Sequence, residues 1–94
     1  MEPHYEGSVT IVNKYGLHAR PAMKFVELAK QFASTISVSK DGEKVNGKSV
    51  LELMTLEGTC GSTLTIHAEG TDAQKAVEAL VKLVKNKFDL TDEE

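Results

Sequence analysis

The sequence has no tryptophan, five aromatic residues in all, one cysteine, two prolines and no long apolar run. Each shortage excludes something. A single thiol, Cys60, can form neither an internal disulfide nor a cysteine zinc cluster, which fits a reducing compartment. No stretch approaches the ~20 apolar residues that span a bilayer, and the opening Met1-Glu2-Pro3-His4 lacks the pattern of a secretion signal. A cytoplasmic location without membrane insertion is therefore expected. So few aromatics leave no base-stacking platform. What remains is ordinary for a soluble globular chain: 40% hydrophobic and 27% charged. Ninety-four residues allow one domain, with a core expected over about residues 6–88.

The net charge of −3 is unevenly placed. Asp89, Asp92, Glu93 and Glu94 form an acidic tail over 89–94, and without them eleven bases face ten acids. A nearly neutral body offers no basic surface for nucleic acid.

Along the chain the hydrophobic period switches between two and 3.6. Val9 and Ile11 alternate over Ser8 to Val12, a half-buried strand. Ala22, Phe25, Val26, Ala29, Phe32 and Ala33 recur at helical spacing over Ala19 to Ala33. Pro21 suits that helix's first turn. Ile36 and Val38 mark a strand over Thr35 to Lys40, Asp41-Gly42 a hairpin turn, and Glu43 to Asn46 a return strand. Ser49 with Glu52 makes a capping box that opens a short helix containing Val50, Leu51, Leu53, Met54 and Leu56. Thr63 to Glu69 alternates cleanly. Thr71 with Gln74 suggests a second capping box, ahead of a helix burying Ala73, Ala76, Val77, Leu80, Leu83 and Val84. The order β-α-β-β-α-β-α predicts an α+β open-faced sandwich: a four-stranded antiparallel sheet covered on one face by three helices. About six residues at each terminus are expected to be poorly tied down.

The chemistry concentrates in Gly16-Leu17-His18-Ala19-Arg20-Pro21. A histidine immediately before a helix sits beside unpaired N–H donors and the positive dipole end, a ready cradle for a phosphate group. The same dipole end disfavours an imidazolium and favours the nucleophilic ring. The amides of Ala19 and Arg20 would hold phosphoryl oxygens, and the Arg20 guanidinium would add a fork of donors. The plainer alternative is a histidine that only caps the helix.

Gly16-Leu17-His18-Ala19-Arg20-Pro21-Ala22 resembles the active-site signature of the HPr family, histidine phosphocarriers of the bacterial sugar phosphotransferase system. Lys48-Ser49-Val50-Leu51 resembles the family's second signature, and the likeness runs from about Glu6 to Lys87. The resemblance implies that His18 accepts phosphoryl on Nδ1 from enzyme I charged by phosphoenolpyruvate, and passes it to enzyme IIA domains. It implies a phosphate-supporting Arg20 and a regulatory Ser49, modified by a serine kinase/phosphorylase and read by a carbon-control transcription regulator. A carrier acting as a monomer, with no cofactor and no turnover of its own, is expected. A phosphate on an N-cap serine would add about −2 charge beside the docking surface without opposing the helix.

Met23, Val50, Leu51 and Met54 are candidates for that docking surface, with Lys24 and Lys48 around it to steer acidic partners; the plain alternative places some of them in the core. Glu52 departs from the small glycine common in the family, and sets a like charge near any phosphate on Ser49. His4 in the flexible start and His67 on a strand's solvent face show no ligand spacing with each other or with His18, so no metal site is expected. Two other functions stay open: a nitrogen- or carbon-signalling paralogue with the same chemistry, and a small acylphosphatase-like hydrolase. The hydrolase would use Asn13 to orient a water near Arg20.

Overall fold

The computed structural model describes residues 2–90. Four strands, β1 (His4–Thr10), β2 (Thr35–Lys40), β3 (Glu43–Asn46) and β4 (Thr63–Glu69), form one antiparallel sheet in the order β1-β4-β2-β3. Helices α1 (Ala19–Ala29), α2 (Val50–Thr55) and α3 (Ala73–Lys85) complete the α+β open-faced arrangement. Strand alternation puts Val9, Ile36, Val38, Leu64, Ile66 and Ala68 inward, where they meet Ala22, Phe25, Val26 and Ala29 of α1 and Ala76, Val77, Leu80 and Val84 of α3. The opposite face carries Ser8, Ser39, Thr65 and His67. Asp41 and Gly42, with φ of 51° and 86°, make the left-handed pair that a two-residue hairpin needs.

Several expectations change. The first strand begins at His4, not Ser8, and pairs fully with β4 from His4↔Glu69 to Thr10↔Thr63, so His4 to Gly7 are tied down. Ile11 is buried as expected but lies beyond the strand, held by hydrogen bonds to the Ser62 carbonyl and the Gly61 amide.

α1 stops at Ala29, short of the expected Ala33. The Asp72 carboxylate accepts from the amides of Ala33 (2.8 Å) and Ser34 (3.0 Å) and from the Ser34 hydroxyl, drawing that segment out of the helix. The same commitment removes the second capping box: Asp72, not Thr71, is the N-cap of α3, its side chain turned to the α1–β2 junction, and Gln74 reaches Glu78 instead.

At the far end, Lys87, Phe88 and Asp89 take left-handed φ values near 55–60° and form a 3-10 turn. Phe88 is fully buried and Leu90 packs partly against the core, so order extends past the expected limit at residue 88. Of the acidic tail, Asp89 accepts from the Asn86 amide group (2.6 Å). Thr91 to Glu94 lie outside the described residues.

Candidate functional site

The segment between β1 and α1 is locked by its own backbone. Asn13 is buried, its Nδ2 donating to the Gly16 carbonyl (2.9 Å), and the Leu17 amide donates to the Gly58 carbonyl (2.7 Å). Gly16 sits at φ 68°, and a Cβ there would collide with the Gly58 carbonyl oxygen and approach Thr59 Cα to 3.0 Å. Only glycine fits. Leu17 is buried, so the next residue, His18, must point outward. Asn13 was the amide available to a hydrolytic water; its Nδ2 is spent on Gly16 and its buried Oδ1 has no partner among the described residues, so it serves the turn.

His18 is the N-cap of α1, with extended backbone (φ −75°, ψ −179°) and no side-chain capping bond. The ring is exposed, and among the described residues its one ring contact is Tyr15, edge-on with centroids 6.0 Å apart. Capping therefore does not account for it. The first intrahelical bond runs from the Ala22 amide to the His18 carbonyl (3.0 Å), and Pro21 has no N–H to offer. That leaves the amides of Ala19 and Arg20 as the unpaired donors of the opening turn, directly after the imidazole. Arg20 is exposed and makes no ion pair among the described residues, so its guanidinium is available to an anion.

An open depression of about 470 Å³ lies beside the ring, lined by Tyr15, Leu17, His18, Met54, Glu57, Gly58 and Thr59. Met54, in its lining, is 39% exposed; on α1 Met23 is 50% exposed and Lys24 is exposed, and on α2 Leu51 is 79% exposed. Val50 differs from the expectation: it is half-buried and packs against the core. Lys48 differs too. Its Nζ donates to the Phe32 carbonyl (2.8 Å), tying the approach to α2 to the end of α1 and taking it out of the steering ring.

Ser49 caps α2 as expected, its Oγ accepting from the Glu52 amide (3.2 Å). The return arm of the box goes elsewhere: Glu52 Oε1 accepts from the Asn46 amide (3.0 Å), fastening α2 to the end of β3. Cys60 is exposed in the loop before β4. Strand pairing, invisible in sequence spacing, brings His4, Glu6 and His67 together on the open sheet face.

A family profile described as "PTS HPr component phosphorylation site" matches residues 5–86. The chain is 43% identical over 79 residues to the phosphocarrier protein HPr of Cupriavidus necator, covering 84% of this chain and 89% of that one. It is 48% identical over 80 residues to the HPr-like protein Crh of Halalkalibacterium halodurans, covering 85% and 95%. Among solved structures, HPr-C-His from Thermoanaerobacter tengcongensis superimposes with a TM-score of 0.87 at 45% identity, over 92% of this chain and 97% of that one.

Proposed function

The chain belongs to the HPr family, phosphocarriers of the phosphotransferase system and not enzymes, and from that premise we propose that His18 is the residue that carries the phosphoryl group. The observation that carries this reading is an exposed imidazole at an N-cap, followed directly by two amides and a guanidinium that are unpaired among the described residues. Nδ1 of His18 attacks phosphorus as the bond to the donor, phospho-enzyme I, breaks; the new Nδ1–phosphorus bond is later broken as an acceptor on an enzyme IIA domain attacks. The Ala19 and Arg20 amides and the Arg20 side chain take the charge on the phosphoryl oxygens. Phosphoryl transfer depends chiefly on such placement and charge stabilisation, so a small carrier needs little else. All of these groups belong to one helix opening, so a single chain suffices for the cycle.

Met23, Leu51 and Met54 supply the exposed apolar surface that partners cover, with Arg20 and Lys24 beside it for acidic groups. Ser49 is the regulatory position in this reading, open to an ATP-dependent serine kinase/phosphorylase and recognised by a carbon-control regulator. Its place at an N-cap supports that role, because a phosphate there gains from the dipole while adding about −2 charge next to Leu51 and Met54. The Glu52 carboxylate is held by the Asn46 amide, so it has a structural duty of its own.

Incubation with phosphoenolpyruvate and enzyme I gives an acid-labile phosphoprotein, and His18→Gln abolishes it while Ser49→Ala does not. Label persisting in His18→Gln would refute the assignment. Label from ATP and the kinase shows the reverse dependence if Ser49 is the second site.

A further inference from the structure

His4 and Glu6 are two residues apart on β1 and share its solvent face, and the strand register sets Glu6 directly opposite His67 on β4. One nitrogen or oxygen from each of the three lies within 4.8 Å of the other two. The imidazoles are stacked, with centroids 6.3 Å apart and planes 17° from parallel. His67 is held from its far side as well: Nε2 is 3.2 Å from Ser39 Oγ on β2, while Nδ1 faces Glu6 Oε1 at 3.7 Å. In the tautomer that donates Nε2–H to Ser39, Nδ1 turns a lone pair toward the Glu6 carboxylate, and a cation between those two acceptors satisfies both.

We propose that His4, Glu6 and His67 bind one divalent transition-metal ion on the open face of the sheet. His67 ligates through Nδ1, His4 through an imidazole nitrogen and Glu6 through its carboxylate, with solvent in the fourth position. Two imidazoles and one carboxylate suit zinc, nickel or copper and not magnesium or calcium. Ligand atoms around zinc stand roughly 3.4 Å apart, given bonds of about 2.0–2.2 Å in a tetrahedron. Rotation of His4 and Glu6, both exposed, closes that difference, while Ser39 keeps His67 in register. Glu69, opposite His4, adds negative charge at the same end of the sheet. The site lies at the start of β1, about 20 Å of strand before the turn that leads to His18. It staples edge strand β1 to β4 and leaves phosphoryl acceptance untouched.

The test is calorimetric titration of the untagged chain with zinc chloride in phosphate-free buffer, alongside NMR of the histidine ring protons. One equivalent binds, the His4 and His67 rings shift, and the His18 ring does not. His4→Gln and His67→Gln each weaken binding at least tenfold, Cys60→Ser does not, and zinc raises the melting temperature of the parent but not of His67→Gln. Phosphoryl acceptance from enzyme I is the same in His67→Gln as in the parent. Absence of binding, affinity unchanged in both histidine variants, or shifts confined to the His18 ring would overturn the proposal.

Discussion

Gly16→Ala tests whether the turn before α1 sets the position of His18. Two penalties follow from the structure. An alanine at φ 68° loses about 1–2 kcal/mol against a right-handed conformation. Its Cβ also overlaps the Gly58 carbonyl oxygen, the acceptor of the Leu17 amide at 2.7 Å. Relief of that overlap moves backbone, and an unpaired amide at buried Leu17 costs about 1–3 kcal/mol more. The sum, about 2–5 kcal/mol, is a large part of a typical domain's ~5–15 kcal/mol. Gly42→Ala is the internal control: its φ is 86°, but nothing lies within 4 Å of the added carbon, so only the conformational penalty applies. Urea unfolding reads both variants. Gly16→Ala should lose at least 1 kcal/mol more than Gly42→Ala. Below its unfolding midpoint, it should also accept phosphoryl about 100-fold more slowly, the effect of an ångström-scale misplacement. Equal destabilisation of the two variants refutes the collision argument. A normal transfer rate in Gly16→Ala refutes the positioning argument.

Three more outcomes are expected. Leu51→Glu, at the most exposed large apolar side chain among the described residues, should change stability by no more than about 0.5 kcal/mol yet slow transfer from enzyme I severalfold at sub-saturating concentration; stopped-flow transfer and urea melts together check it. Phe88→Ala should cost about 3–5 kcal/mol by urea unfolding, because the ring is fully buried although it follows the last helix. Asp72 gives a pH signature. The Ser34 hydroxyl and the Ala33 and Ser34 amides hold its carboxyl below the ordinary carboxylate range. A lowered folded-state value means the contribution is full above the unfolded value near pH ~4 and is lost as pH falls through the folded one. Melting temperatures of Asp72→Asn should therefore sit below the parent by a constant margin from pH 8 to 5, narrowing only in more acidic buffer.

The sequence made legible whatever depends on local pattern. Period-two alternation marked β2, β3 and β4, Asp41-Gly42 marked the hairpin, and Ser49 marked the start of α2. The exposed His18 at a helix opening was readable because Gly16, Leu17 and Pro21 are neighbours along the chain. Contacts between distant segments were not readable. Nothing near Phe32 and Ala33 says that Asp72 will capture the following amides and end α1 early. Nothing in His4-Tyr5-Glu6-Gly7 alternates strongly; those residues become strand through pairing with Glu69, Ala68, His67 and Ile66. That pairing also joins His4 and Glu6 to His67. Lys48 read as a solvated charge because its acceptor, the Phe32 carbonyl, belongs to another element.

The central claim is that the opening of α1 cradles a phosphoryl group on His18, and nitrogen-15 NMR of the chain after phosphorylation by enzyme I and phosphoenolpyruvate tests it most directly. The account predicts a phosphorus coupling to Nδ1 of His18, with the amide resonances of Ala19 and Arg20 among the most displaced. Phosphorus on His4 or His67, or on His18 with those two amides unmoved, would contradict it.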